Sequence, residues 1–242
     1  DGVNSAYVVL ADGSRVIAGT APTQAIGSNA PLLKGAARFP MPARAPVDVS
    51  IIPWPKNVST TGSRSVPAGL DLKPEGDAAG KAAAAFTTLV ADLFPVEGLV
   101  RSAAEGGMPV LLQSKSGLGP EAYDIAFAED AVTITATTQT GLLYGLITVG
   151  QILRGAKQHP NTLVFPIGGT SSDEPDLVWR ASHPEVARQF YSSAEVGRLP
   201  KLMPWNRMNG FQAHLPDADG WRLDIHADQR LPAIAPALRP RR

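Results

Sequence analysis

Apolar residues recur at helical spacing in two stretches of the chain. The first, residues 77–94, begins at Asp77, a candidate N-cap. Its apolar positions are Ala79, Ala82, Ala83, Phe86, Leu89, Val90 and Leu93. The second, residues 140–154, has a broad apolar face and is followed by Gly155, a candidate C-cap. The two stretches predict one amphipathic helix and one buried helix.

Runs with strand composition surround these helices. The predicted strands are residues 49–52, 109–113, 123–127, 132–137 and 163–167. Apolar and polar residues roughly alternate in the third and fourth runs, and Glu129-Asp130 between them predicts a hairpin turn. Residues 168–175 are polar and predict a connector. The order of elements predicts an α+β domain over residues 47–170, with both helices on one face of a largely antiparallel sheet.

A short N-terminal unit precedes this domain. Residues 7–10 and 15–17 have strand composition and flank an Asp-Gly pair, which predicts a hairpin. The segment that follows is interrupted by prolines and predicts an extended linker. We therefore expect residues 1–46 to form a hairpin and a linker, with a domain boundary near Pro46.

Charge and composition limit the classes of partner. The 22 Lys+Arg and 22 Asp+Glu give a formal net charge of zero, so no overall field attracts nucleic acid or an anionic membrane. The longest apolar-rich stretch, residues 141–153, is too short to cross a bilayer. The absence of cysteine excludes disulfides and thiolate metal sites. We expect a neutral ligand, and neither a nucleic-acid nor a membrane partner.

The start of the chain carries little targeting information. No charged segment followed by an apolar segment opens it, so a leader is absent or already removed. The first residue, Asp1, indicates a mature or trimmed form. We expect a periplasmic or extracellular protein.

Three segments of the predicted α+β domain resemble a known family. Residues 51–55 read Ile-Ile-Pro-Trp-Pro, and residues 131–136 read Ala-Val-Thr-Ile-Thr-Ala. A Gly-Leu-Leu-Tyr-Gly-Leu motif at residues 141–146 then opens the second predicted helix, and general helix rules do not predict it. The segments resemble the small α+β domain that precedes the barrel in family-20 glycoside hydrolases, the β-N-acetylhexosaminidases.

Residues 179–239 resemble the first two β/α units of the (β/α)8 barrel in that family. Residues 179–180 read Trp-Arg where the family has Trp-Arg-Gly, and residues 188–191 read Arg-Gln-Phe-Tyr where it has Arg-His-Phe-Phe. Residues 217–221 read Asp-Ala-Asp-Gly-Trp where the family has Asp-Asp-Gln-Gly-Trp. The resemblance implies that residues 176–242 are the start of a TIM-barrel catalytic domain, incomplete within this chain.

The family chemistry implied by this resemblance is substrate-assisted retaining hydrolysis, in which the 2-acetamido group of the sugar is the nucleophile. The family supplies an acid and an orienting carboxylate from an adjacent Asp-Glu pair in a His-x-Gly-Gly-Asp-Glu context. The single Asp-Glu dipeptide of this chain, Asp173-Glu174, precedes Pro175 outside that context and predicts a solvated turn. We therefore expect no catalytic residue, no cofactor and no activity from this chain alone.

Four residues are candidate substrate contacts by this resemblance. Arg188 corresponds to the family arginine that binds sugar hydroxyls, and the alternative is an exposed surface arginine. Asp217 corresponds to a carboxylate near the site, although Ala218 replaces one Asp of that motif and a plain loop Asp is the alternative. His214 matches the second histidine of a His-x-His strand, and Glu185 stands where the family has Asp in its first strand. His214 has no partner at ligand spacing, so we expect no metal site.

Prolines depart from the family pattern. Pro184 falls within the expected first barrel strand, and Pro200 and Pro204 fall within the expected first barrel helix, residues 194–207. An interior proline costs ~3 kcal/mol in a helix and removes a ladder hydrogen bond in a strand. We expect these changes to oppose folding of a native-like barrel segment.

Two functions therefore compete at the level of sequence. The first is an enzyme segment of a β-N-acetylhexosaminidase that acts on N-acetylhexosamine-containing glycans or oligosaccharides, chitin included, only in a complete protein. The second is a non-catalytic remnant that binds carbohydrate or another protein. Nucleic-acid binding is a poor third, because the only basic cluster is a short C-terminal run of arginines.

Overall fold

The computed structural model describes residues 7–9, 15–17, 48–185 and 191–214. The chain divides into two compact units, residues 1–46 and residues 47–242. In the first unit, β1 (Tyr7–Val9) pairs antiparallel with β2 (Arg15–Ile17). These two strands match the arms of the predicted hairpin.

A mixed six-stranded sheet forms the centre of the second unit. Its strands are β3 (Asn57–Thr61), β4 (Gly69–Pro74), β5 (Gly107–Ser114), β6 (Tyr123–Phe127), β7 (Val132–Ala136) and β8 (Gly168–Asp173). They lie in the order β3-β8-β6-β7-β5-β4. The pairs β3–β8, β8–β6 and β6–β7 are antiparallel, whereas β7–β5 and β5–β4 are parallel. The sheet is less antiparallel than predicted, because a helix connects β4 to β5 and parallel neighbours need such a crossover.

Two helices cover one face of this sheet, as the pattern of elements predicts. Helix α1 (Asp77–Leu93) packs on β4 and β5, helix α2 (Gln139–Gln158) packs on β6 and β7, and the two helices contact each other. The buried side chains between helices and sheet form one continuous apolar core. Within the described residues, no helix is both long and apolar enough to cross a bilayer.

The helix ends differ from the predicted ones. Gly76 is the N-cap of α1, and Asp77 lies in the first turn with its carboxylate 2.7 Å from the ammonium group of Lys81. Gly155 does not end α2, which continues to Gln158. A Cβ atom on Gly155 would lie 2.6 Å from the Cβ atom of Ser50, so this glycine permits close packing rather than termination.

Two predicted strands are wrong. Residues 49–52 form no strand, because the backbone N–H and C=O of Ile52 bond to the side-chain amide of Gln151 instead. Residues 163–167 make only an isolated bridge through Phe165, whose side chain is buried in the core. The last strand of the sheet is β8, which occupies most of the predicted polar connector, and β3 and β4 were not predicted.

A parallel strand–helix–strand unit follows the sheet. It consists of β9 (Ala181–Ser182), α3 (Ser193–Leu202), a 3-10 turn (Pro204–Asn206) and β10 (Gly210–Phe211). Strands β9 and β10 pair in parallel, Ala181 with Gly210 and Ser182 with Phe211. An isolated parallel bridge between Glu185 and His214 continues the same register.

The three prolines of this unit lie at different kinds of position within the described residues. Pro184 interrupts the ladder by its missing N–H, yet its carbonyl still accepts from the backbone N–H of His214 at 3.1 Å. Helix α3 ends at Leu202, so Pro204 opens the 3-10 turn, where the lost N–H costs little. Pro200 does remain inside α3, whose first turn is secured by a capping box.

Candidate functional site

Glu185 and His214 meet at the carboxyl ends of β9 and β10. The Nδ1 atom of His214 lies 2.6 Å from an Oε atom of Glu185, and both side chains are 44% exposed. The parallel register brings the two residues side by side, because each follows its strand by three residues. Glu185 and His214, which the family resemblance predicts as two separate contacts, therefore form one half-exposed pair.

His183 completes a small polar cluster at this end of the strands. Its ring lies edge-on to the ring of His214, with the centroids 6.0 Å apart. We call His183, Glu185 and His214 the Glu185 cluster. Among the described residues, no three ligating side chains are placed to hold a metal ion. A carboxylate and imidazoles can instead donate to and accept from hydroxyl groups, which suits a polar, uncharged ligand.

The resemblance also predicts two further contacts. Arg188 and Asp217 lie outside the described residues. The Glu185 cluster is therefore the part of the predicted site whose geometry the structure describes.

The Asp-Glu dipeptide is solvated only at Glu174, which is exposed; Asp173 departs from the sequence prediction. Asp173 is the last residue of β8, and its side chain is only 10% exposed. One carboxylate oxygen accepts from the guanidinium group of Arg207 at 3.0 Å, and the other accepts from the backbone N–H of Lys56 at 3.1 Å. The strand places this carboxylate in the sheet layer, where a buried arginine stabilises its charge. Asp173 is thus a structural ion-pair partner.

Arg207 is the most deeply buried charged residue among those described, with 1% of its surface exposed. Its guanidinium group donates to the carbonyl of Pro53 at 3.1 Å and to the hydroxyl of Thr148. It also lies 5.4 Å from the ring centre of Tyr123. The Nε atom is buried without a hydrogen-bond partner. No local sequence feature indicates this role, because most arginines are exposed.

Tyr123 extends this buried polar group. Its hydroxyl lies 2.8 Å from the hydroxyl of Thr148, which in turn donates to the backbone carbonyl of Tyr144 at 3.0 Å. Burial raises the pKa of Tyr123 to about 12, although the nearby Arg207 opposes the shift. The phenol is therefore neutral at physiological pH.

Arg180 makes a second connection, immediately before β9. Its guanidinium group donates to both carboxylate oxygens of Glu121, at 2.9 and 3.1 Å, and to the hydroxyl of Tyr144 at 3.0 Å. Its Nε donates to the backbone carbonyl of Arg207 at 2.7 Å. The hydrogen bond from Arg180 is the main reason why the pKa of Glu121 is lowered. The Trp-Arg motif was noticed in the sequence, but this role of its arginine was not predicted.

Two family models match parts of the second unit. Residues 48–167 match the family model described as glycosyl hydrolase family 20, domain 2. Residues 177–238 match the model described as glycosyl hydrolase family 20, catalytic domain.

Individual relatives agree with these models. A β-N-acetylhexosaminidase of Cellulomonas fimi is 29% identical over 194 residues, which are 74% of this chain and 36% of the relative. The structure of a Streptomyces plicatus N-acetyl-β-hexosaminidase in complex with Thio-NAglucal matches with a TM-score of 0.57 and 26% identity, over 76% of this chain and 38% of that one. A Vibrio harveyi exo-β-N-acetylglucosaminidase in complex with N-acetylglucosamine shares the fold, with a TM-score of 0.61 at 23% identity, over 78% of this chain and 29% of that one. The chain thus spans between 29% and 38% of the length of these proteins.

Proposed function

The chain belongs to glycoside hydrolase family 20, and from this membership we propose that it is the α+β domain and the first part of the (β/α)8 barrel of a β-N-acetylhexosaminidase. The whole protein would remove terminal N-acetylhexosamine from glycans or oligosaccharides by substrate-assisted retaining hydrolysis. One observation carries the proposal. The Glu185 cluster lies at the carboxyl ends of two parallel strands, the end at which barrel enzymes place their active sites.

The chemistry of the cluster suits sugar binding. The carboxylate of Glu185 can accept from a sugar hydroxyl, and the imidazole of His214 can donate to or accept from another. The hydrogen bond between them orients both groups before a ligand arrives, which reduces the entropy lost on binding. Arg188 and Asp217 are proposed as further contacts from the family resemblance.

We also propose that the 242 residues do not catalyse hydrolysis by themselves. The reaction needs an acid to protonate the leaving oxygen. The only Asp-Glu dipeptide is Asp173-Glu174, and both carboxylate oxygens of Asp173 are already bonded, one to Arg207 and the other to the backbone N–H of Lys56. These contacts hold the carboxylate as a structural partner of Arg207, so it is not available to a leaving oxygen.

A second function, association with another protein, is favoured by one observation. Leu177, Val178 and Trp179, which join the sheet to β9, are 67%, 90% and 69% exposed. Consecutive exposed apolar side chains often mark interaction surfaces. This alternative does not require the Glu185 cluster to bind sugar.

Two measurements on the purified chain separate these possibilities. Hydrolysis of a chromogenic N-acetyl-β-glucosaminide should not exceed the rate in buffer. Titration with N-acetylglucosamine, followed by NMR of the histidine rings, should shift the signals of His183 and His214 with a Kd on the order of millimolar. Glucose, which lacks the acetamido group, is the ligand control.

Glu185→Gln should weaken this binding, whereas Glu129→Gln, in the exposed turn between β6 and β7, should not. Hydrolysis that follows the protein through purification would contradict the proposed inactivity. If N-acetylglucosamine leaves all histidine signals unchanged, the sugar-binding proposal is wrong and association with a protein becomes the better hypothesis.

A further inference from the structure

We propose that Arg207 is a positioning residue, which together with Arg180 clamps the amino ends of β9 and β10 to the α+β domain. The clamp sets where Glu185 and His214 lie. The importance of these positions for sugar rests on the proposed function, but the clamp itself does not.

The side chain of Arg207 bonds to three separate parts of the α+β domain. Its guanidinium group bonds to Asp173 at the end of β8, to Thr148 on α2 and to the carbonyl of Pro53 in the loop before β3. Its side chain is 2% exposed. A buried charge with several fixed partners cannot shift without leaving some of them unsatisfied, so its position is narrowly defined.

The backbone of Arg207 is specialised as well. It is the only non-glycine residue with positive φ among those described, at 56°. This left-handed conformation ends the 3-10 turn and directs the chain into β10. Apart from glycine, only Asn and Asp adopt this backbone conformation with any frequency. The buried contacts of the Arg207 side chain must therefore hold the backbone in it.

Arg180 connects Arg207 to β9, the strand that pairs with β10. Its side chain is fixed to Glu121 and donates to the backbone carbonyl of Arg207, as described above. Its own backbone carbonyl accepts from the N–H groups of Asn209 at 2.9 Å and Gly210 at 3.1 Å. The starts of both strands are therefore fixed to each other and to the same domain.

The hydrogen bonds between the two strands continue from these fixed amino ends to the Glu185 cluster. The carbonyls of Ser182 and Pro184 accept from the backbone N–H groups of Gln212 at 3.0 Å and His214 at 3.1 Å. At ~3.3 Å per residue, the distance from Arg180 to Glu185 is ~17 Å. Helix α3, which connects the strands, contacts α1 and forms the ion pair Lys201–Asp92 at 3.2 Å, but none of its residues is buried. An exposed ion pair of this kind contributes little. If the contacts at the amino ends of β9 and β10 are weakened, the hydrogen bonds at the carboxyl ends should therefore open more often.

Amide hydrogen exchange on the whole 242-residue chain tests the clamp with the variant Arg207→Met. The exchange rates of the Gln212 and His214 amides should rise by ~10-fold or more, because their local opening no longer has to break the buried contacts. The nuclear Overhauser contact between the rings of His183 and His214 should disappear. The amide of Leu142, which bonds within α2, should keep its rate.

The matched control is Arg154→Met. Arg154 is also partly buried and ion-paired, to Glu97 at 3.0 Å, but its contacts lie within the α+β domain. This variant should change neither the amides of β10 nor the histidine contact, and Arg207→Lys should restore part of what Arg207→Met loses. If Arg207→Met leaves the exchange of Gln212 and His214 unchanged, or if Arg154→Met accelerates it equally, the clamp is refuted.

A second variant covers the case in which Arg207→Met does not fold. Asp173→Asn keeps the shape of the side chain and removes only its charge, so the same amides should exchange faster by a smaller factor, and unchanged rates would again refute the clamp. Titration of the unmodified chain with N-acetylglucosamine is a separate readout. Absence of sugar binding would overturn the proposed function and leave the exchange result as it stands.

Discussion

Replacement of Gly141 by alanine should destabilise the protein, because this glycine lets α2 lie directly on the sheet layer. A Cβ atom at residue 141 would lie 2.3 Å from the carbonyl oxygen of Ala122 and 2.8 Å from the Cβ atom of Ala136. The first obstacle is backbone and cannot rotate away. The preceding turn is also fixed, since the hydroxyl of Thr138 donates to the carbonyl of Pro120. The helix itself must therefore move.

The magnitude follows from two opposing terms. Alanine gains ~1 kcal/mol over glycine in a helix interior. Overpacking a tight contact costs ~1–3 kcal/mol, and the upper end applies here because the contact is with backbone. We expect Gly141→Ala to lower the free energy of unfolding by ~2 kcal/mol.

Gly80 provides the matched control. It lies in the first turns of α1, as Gly141 does in α2, and a Cβ atom there would meet nothing within 4 Å. Gly80→Ala should therefore raise the free energy of unfolding by up to ~1 kcal/mol. The difference between the two variants, ~3 kcal/mol, isolates the steric term because the propensity gain is common to both.

Urea denaturation followed by far-ultraviolet circular dichroism measures both changes. The midpoints should move in opposite directions at a constant m value, which shows that stability rather than the denatured state has changed. Equal midpoints for Gly141→Ala and Gly80→Ala would refute the close contact between α2 and the sheet layer.

Three further changes test other contacts. The hydrogen bond from Arg180 lowers the pKa of Glu121. The stability that this pair contributes is therefore complete above the normal carboxyl pKa of ~4.3 and is lost as the pH falls through the lowered pKa. In urea denaturation at several pH values, the free energy of unfolding of Glu121→Gln should fall less steeply at acid pH than that of the unmodified protein. Burial raises the pKa of Tyr123 to about 12, so the stability that its neutral phenol contributes should persist up to pH ~10 and decline above it. Ultraviolet titration of folded Tyr123→Phe should lack one phenol that ionises above the normal range, whereas Tyr144, whose pKa burial also raises, should remain. Pro200→Ala should increase amide protection in α3 because it removes an interior proline worth ~3 kcal/mol, whereas Pro204→Ala should not.

Elements with strong local patterns were predictable from the sequence. Helices α1 and α2 and strands β5, β6 and β7 all lie where the spacing of apolar residues places them. Their boundaries were less predictable. Gly155 has the composition of a helix terminator, but its close approach to Ser50 is a tertiary contact that a local rule cannot contain.

Strand β8 shows why part of the sheet was missed. Its sequence, Gly-Gly-Thr-Ser-Ser-Asp, has no apolar residue and reads as a connector. It is extended because β3 and β6 supply hydrogen-bond partners on both of its edges, more than 40 residues away in the chain. Gly169 fits only because it has no side chain, since a Cβ atom would lie 2.0 Å from the carbonyl oxygen of Ser59.

Some residues of the candidate site could likewise be predicted from the local sequence, whereas others depend on contacts between distant parts of the chain. The family resemblance identified Glu185 and His214, but their pairing depends on the register between β9 and β10, which are not adjacent in the sequence. Arg207 and Asp173 were harder still, because a lone arginine and an Asp-Glu dipeptide have no local feature that indicates burial. Such residues become informative only when the two domains are seen together. For this reason the amino ends of β9 and β10, where the domains are joined, are as promising a target for mutagenesis as the carboxyl ends, where the sugar contacts are proposed.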